Sequence, residues 1–140
     1  MIEIIPIKEH EYDLAFRIMR ENMELYHHAH DVPWDQDWIA KNYIDKDSYS
    51  IVCSGRWRGC LSLEWRGRAL FIHTLQLTRE AQVSIYGYRV YQWLVSQAES
   101  RGKTDILCKT FRNSPLLRLY KRLGFSLEVK AGYWSPWKAC

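Results

Sequence analysis

Apolar positions change their period several times along the chain, and each change marks an element. Residues 2–7 (IEIIPI) are rich in β-formers, with Pro6 marking an edge position or a strand end. From Glu11 the period lengthens. Tyr12, Phe16, Met19 and Met23 recur at spacings of 4, 3 and 4, one face of a helix running to about Tyr26. Residues 27–34 (HHAHDVPW) break that helix, with Pro33 as punctuation. Asp35 is placed to cap a short second helix over 36–43, whose Trp38, Ile39 and Tyr43 share a face. Three strands follow, over 48–54, 58–65 and 69–77, separated by the Gly-containing turns SGRW and RGR. In the second of them Cys60, Ser62 and Glu64 alternate with Leu61, Leu63 and Trp65, a period of two.

A loop over 78–84 leads to the longest helix, 85–100, whose packed face is Tyr86, Val90, Trp93, Leu94 and Gln97 and whose C-terminal cap is Gly102. Residues 105–111 (DILCKTF) read as a strand. Ser114 as N-cap and Pro115 at the first helical position open a helix over 116–123 that stops at Gly124. A last strand spans 125–134, and SPWKAC is a tail. The order β-α-α-β-β-β-α-β-α-β puts hairpin-linked strands beside strand–helix–strand units. It predicts one α/β domain over 1–140 with a mixed, mostly antiparallel central sheet flanked by helices.

Composition narrows the class. At 140 residues, 47% apolar, 14% aromatic and 26% charged, the chain is neither disordered, collagenous nor a coiled coil. No stretch approaches the roughly 20 apolar residues of a membrane span. Glu3, Pro6 and Lys8 interrupt the apolar start, which does not read as a signal peptide. A soluble, cytoplasmic protein is expected. The four cysteines form no C-x-x-C pair, so reduced thiols are expected and no zinc knuckle. The net charge of +4 is uneven: residues 1–50 hold eleven acids against five bases, residues 101–125 seven bases against one acid. The basic end suits phosphates and the acidic end a cation. The plain alternative is two solvated faces.

Two segments carry chemistry. In the first, Leu75-Gln76-Leu77 is followed by Arg79, Gln82 and Gly87 at the head of the long helix. In the second, Asn113 precedes Tyr120 by seven residues within N-S-P-L-L-R-L-Y-K-R-L-G-F. Together they resemble the GCN5-related N-acetyltransferase (GNAT) superfamily. That family carries a strand ending L-x-V, a loop [Q/R]-x-x-G-x-[G/A] opening a long helix, and farther on N-x-x-A-x-x-x-Y-x-x-x-G-F. Gln82 falls five residues after Leu77, and Gly87 five after Gln82. Asn113, Tyr120, Gly124 and Phe125 match the second motif, with Leu116 at its Ala position. The detailed match covers residues 70–125; the segment 19–43 also looks like the two-helix, substrate-side region of small bacterial members. Ile85 stands where the motif has its first glycine, and Val83 and Ser84 replace its usual neighbours. Main-chain N–H groups at a helix start cradle a diphosphate, and a β-branched side chain there is able to crowd it.

The resemblance implies an acyl-CoA N-acyltransferase (GNAT-like) fold and direct transfer of an acetyl group from acetyl-CoA to a primary amine, small molecule or peptide. It implies backbone amides near Leu75 and Leu77 on the pantetheine arm, residues Gln82, Val83, Ser84, Ile85, Tyr86, Gly87 and Tyr88 around the pyrophosphate, and Asn113 on the arm. Tyr120 matches the tyrosine that protonates the leaving thiolate, a role suited to a phenol with a pKa near 10. The alternative for Tyr120 is a half-buried aromatic packed on the sheet. For the base, His73 has a suitable pKa and alternates in phase with Leu75 and Leu77, sharing their face. Its alternative is a hydrogen-bonded sheet histidine. Glu64 is the second base candidate; Cys108 stands where some relatives place a glutamate.

Tyr26, Trp34 and Trp38, with Tyr43 and the nearby Asp31, Asp35 and Asp37, suit a pocket for an ammonium group, or else core aromatics with an acidic rim. His27, His28 and His30 lack the spacing of a metal site, and no metal is expected. No membrane partner is expected, nucleic acid is disfavoured for want of a motif, and a homodimer is possible through the Trp-containing tail, which is equally able to fold back on its own sheet. The competing readings are a non-catalytic GNAT-like module with a degenerate cofactor loop, and a nucleic-acid-binding domain.

Overall fold

The structure is a computed structural model describing residues 2–29, 33–82, 85–108, 110–111, 126–130 and 133–139, with side chains described up to residue 108 apart from 25–27 and 29. Strand β1 (Ile2–Pro6) leads through a 3-10 turn into helix α1 (Tyr12–Ala29), followed by α2 (Gln36–Ile44). Strands β2 (Asp47–Cys53), β3 (Arg56–Arg66) and β4 (Ala69–Leu77) follow, then the short α3 (Arg79–Gln82) and α4 (Tyr86–Ser100). Strands β5 (Asp105–Cys108), β6 (Thr110–Phe111), β7 (Ser126–Lys130) and β8 (Tyr133–Ala139) complete the described elements.

The strands form one sheet in the order β1-β2-β3-β4-β5-β8-β7, with β6 in line with β5 on the same edge of β8. Every described pairing is antiparallel except β4 with β5. The two hairpins β2–β3 and β3–β4 close through the two-residue turns 54–55 and 67–68, as the Gly-containing separators predict. Period two on β3 divides the core between the sheet faces. Leu61 and Leu63 point to the face of α4, where Leu70, Ile72, Leu75, Leu77, Val90, Leu94 and Ala98 join them. Cys60 points the other way, to Ala15, Ile18 and Met19 of α1 and Tyr43 of α2. A fully buried leucine such as Leu61 stabilises this core by roughly 2 kcal/mol.

The helix ends follow their sequence signals. Asp35 Oδ1 accepts the Trp38 N–H at 3.0 Å and so caps α2. After α4, Gly102 takes a φ of +67°, and the Lys103 and Gly102 N–H groups bond the Ala98 and Glu99 carbonyls at 2.8 and 3.1 Å. That closure requires a left-handed residue, which glycine supplies at least cost.

Three expectations are corrected. Helix α1 continues through His27 and His28 to Ala29, because nothing before Pro33 withholds a backbone donor. The expected loop after Leu77 contains a helical turn, α3. The expected strand over 105–111 is described as β5 and β6, which keep one register against β8 on either side of residue 109, itself outside the described residues. Finally, the last strand and its tail are two strands: β7 and β8 form a hairpin with Lys130 opposite Tyr133, and the supposed tail lies between β5 and β7. The helix expected over 116–123 lies outside the described residues.

Candidate active site

Strand β4 has two different edges. Toward β3 it is paired along its length, from Arg66↔Ala69 to Gly59↔Leu77. Toward β5 it is paired only from Ala69↔Asp105 to Ile72↔Cys108. Among the described residues, 73–77 therefore have β3 as their sole strand neighbour, which leaves the edge of β4 beyond Ile72 open. The Thr78 N–H donates to the Arg58 carbonyl at 2.8 Å, which makes Gly59↔Leu77 and, two residues on, Leu61↔Leu75 non-hydrogen-bonded pairs. The main-chain groups of Leu75 and Leu77 thus turn away from β3 and toward the opening.

One wall of this opening is fixed by side chains. The Leu77 carbonyl accepts from Asn22 Nδ2 of α1 at 3.1 Å and from Gln82 Nε2 of α3 at 2.9 Å. Asn22 Nδ2 also reaches Gln76 Oε1 at 3.1 Å, and Gln76 Nε2 donates to Thr74 Oγ1 at 3.1 Å. Gln82 thus spends one donor on the end of β4. Leu77 leads through α3 to the start of α4, whose first turn carries no acidic residue. Ile85 is the N-cap residue and is 58% exposed, so its side chain is not drawn into the core. Gly87 is buried, Tyr86 half-buried and Tyr88 exposed. A helix start free of carboxylates favours an anion. Val83, Ser84, Asn113 and Tyr120 lie outside the described residues.

Where this open edge begins, β4 carries a bulge. Ser62 pairs with Thr74 and Leu63 with Ile72, leaving His73 as the extra residue. The bulge corrects the expectation that His73 shares the face of Leu75 and Leu77. The extra residue shifts the alternation, so Ile72, Leu75 and Leu77 face α4 and His73 lies with Phe71 and Glu64 on the opposite face. His73 Nε2 is 3.3 Å from Glu64 Oε1, so the structure brings both base candidates together. Arg66 beside Glu64 holds its carboxyl down to about 2, with His73 adding to the effect. Burial holds the His73 imidazole below its ordinary value, against the pull of Glu64.

The expected acceptor wall is divided. Trp34 is half-buried and packs against the α1–α2 core, with Nε1 donating to Gln36 Oε1 at 2.9 Å. Trp38 is 62% exposed. Tyr43 is core, only 3% exposed and in edge contact with the rings of Tyr12 and Phe16. Tyr26 lies on α1, with its side chain outside the description. Asp35 serves as the helix cap. Asn22, Gln76, Gly59 and Arg66 are the residues that sequence reasoning missed. Asn22 interrupts the apolar stripe of α1, Gln76 stands between two leucines, and Arg66 sits two residues from Glu64 on one strand face.

No family model and no curated protein matches this sequence. Solved structures do. The PaiA N-acetyltransferase of Thermoplasma acidophilum, crystallised with coenzyme A, superposes with a TM-score of 0.78 at 12% identity, covering 100% of this chain and 99% of that one. The ribosomal-protein-S18-alanine N-acetyltransferase of Escherichia coli gives 0.72 at 15% identity, covering 98% and 91%. A GNAT-family acetyltransferase of Staphylococcus aureus Mu50 gives 0.72 at 9%, covering 99% of each chain. The chain has the GNAT fold. Strand β4 leads from its bulge through α3 to the start of α4, in a chain that shares few residues with its structural neighbours. No described helix is long and apolar enough to cross a membrane.

Proposed function

We propose that this chain is an acetyl-CoA-dependent N-acetyltransferase that moves an acetyl group to a primary amine by direct transfer. The observation that carries the reading is the edge of β4 left open beyond Ile72 among the described residues, with the main-chain groups of Leu75 and Leu77 turned toward it and the start of α4 at its end. An extended amide-bearing chain ending in a diphosphate fits that path, and the structural neighbour from Thermoplasma acidophilum was crystallised with coenzyme A.

The chain's own groups divide the work. Leu75 and Leu77 hold the arm of the cofactor by main-chain hydrogen bonds and polarise the thioester carbonyl. Residues 82–88 hold the diphosphate, with Ile85 turned to solvent. Asn113 bonds the arm, and Tyr120 donates a proton to the departing sulfur. His73, unprotonated at neutral pH, accepts the proton of the ammonium, and Trp34, Trp38 and Tyr26 belong to the acceptor side. The acceptor is a small molecule or a peptide amine.

Calorimetry with acetyl-CoA and a thiol-release assay over a panel of amines test the reading. Micromolar-range binding together with amine-dependent thiol release is expected. Binding weaker than about 1 mM would favour a non-catalytic module that keeps the fold. In the same assay Tyr120→Phe lowers kcat by roughly 10²-fold with acetyl-CoA affinity nearly intact.

A further inference from the structure

On the α1–α2 face of the sheet, four side chains of β3 and β4 form one contact chain. Arg66 grips Glu64 through Nε, 2.8 Å from Oε1 and 3.0 Å from Oε2, and through Nη2, 2.7 Å from Oε1. Glu64 Oε1 in turn lies 3.3 Å from His73 Nε2. Phe71 backs this assembly. The Arg66 guanidinium carbon sits 4.7 Å over its ring, and the ring centroid is 4.7 Å from that of His73. The bulge sets His73 free of a partner on β3, so Glu64 and Phe71, rather than the strand ladder, orient it.

The chemistry of these contacts is one-directional. A carboxylate paired with a guanidinium is ionised and only accepts hydrogen bonds. The hydrogen between Glu64 and His73 is therefore on Nε2, and a neutral imidazole protonated there carries its lone pair on Nδ1. We propose that Arg66 and Glu64 are positioning residues that lock His73 as the Nε2–H tautomer, making Nδ1 the atom that receives the acceptor's proton. The proton-transfer part rests on the acetyltransferase reading; the tautomer does not.

The step balances. The ammonium gives one proton to Nδ1 and becomes the free amine. Its lone pair forms the C–N bond to the thioester carbonyl carbon while the C–S bond breaks and the electron pair leaves on sulfur. Tyr120 protonates that sulfur and regains a proton from the amine's second N–H, and His73 passes its own to water. The described charged groups acting on His73 are Glu64 and Arg66 of β3 and Lys46 ahead of β2. Glu64 favours the imidazolium, while Lys46, Arg66 and burial oppose it.

Nitrogen-15 NMR of the imidazole in the full chain tests the lock without requiring activity. A pyrrole-like Nε2 and a pyridine-like Nδ1 are expected for His73 above its titration. Glu64→Ala mixes the tautomers and moves the His73 titration to lower pH; Arg66→Gln moves it to higher pH. The acid limb of kcat/KM moves in the same two directions, with kcat/KM reduced roughly tenfold or more in Glu64→Ala and acetyl-CoA affinity unchanged by calorimetry. An Nδ1–H tautomer in the unaltered chain, or a titration that neither substitution moves, would overturn the proposal. Loss of acetyl-CoA binding in the unaltered chain would instead remove the acetyltransferase reading and leave the tautomer result to stand.

Discussion

A methyl group at Gly59 has no room. Its Cβ would meet the Gln76 carbonyl oxygen at 2.2 Å and Leu77 Cδ2 at 3.0 Å. The neighbour that must give way is backbone, at the stretch of β4 whose other edge faces the opening. Gly59→Ala is expected to destabilise the fold by about 1–3 kcal/mol, read as a fall in Tm. It is also expected to weaken acetyl-CoA binding by calorimetry, because the strand that shapes the opening is the one displaced. Ile85 behaves oppositely: its side chain is exposed, so Ile85→Gly removes little contact while loosening the start of α4. The reach of single residues also explains the His73 correction. Alternation counts residues, and one extra residue in a ladder reverses the face of everything beyond it.

Between elements, the contact of α1 with β4 runs through one amide. Asn22 supplies donors to both Gln76 Oε1 and the Leu77 carbonyl. Asn22→Ala is expected to cost about 1–2 kcal/mol in urea denaturation and to weaken acetyl-CoA binding, while Asn22→Asp, which keeps the shape but loses the donors, fares no better. The elements legible in the sequence are those whose signals are local. The α2 cap at Asp35, the turns around 54–55 and 67–68, the stripe of α1 and the closure at Gly102 each lie within a few residues of what they determine. What stayed hidden depends on distant partners. The residues SPWKAC read as a tail, yet residues 135–139 belong to β8, which pairs with both β5 and β7. The bulge at His73 is a mismatch between β3 and β4, invisible on either strand alone. The spacing of Leu77, Gln82 and Gly87 marks the stretch between the end of β4 and α4 in the sequence, whereas the open edge of β4 and the partners that fix it, Asn22 and Gln76, have no motif to announce them.

The whole molecule carries an acid sensitivity with a defined sign. The Glu64 carboxyl is held at about 2 against an ordinary 4.5, chiefly by Arg66, and His73 is held below its ordinary value by burial. Both groups bind fewer protons folded than unfolded, so stability rises with pH across their windows. The share from Glu64 is complete above about 4.5 and lost as pH falls toward about 2; that from His73 is lost as pH falls through the ordinary imidazole range to its lower folded value. Arg66→Gln is expected to lower the urea midpoint above pH about 4.5 and to leave it nearly unchanged near pH 2, which flattens its dependence on pH between those values. The same sheet separates two cores, one under α4 and one under α1 and α2, so the acid-sensitive cluster and α4 lie on opposite faces and are open to independent substitution. The place of β8 has a consequence for biosynthesis. Residues 133–139 are inserted between two strands made earlier, so a nascent chain on the ribosome presents this edge of β5 bare until residues 133–139 emerge. A chaperone that shields that edge would be needed most before residues 133–139 leave the ribosome.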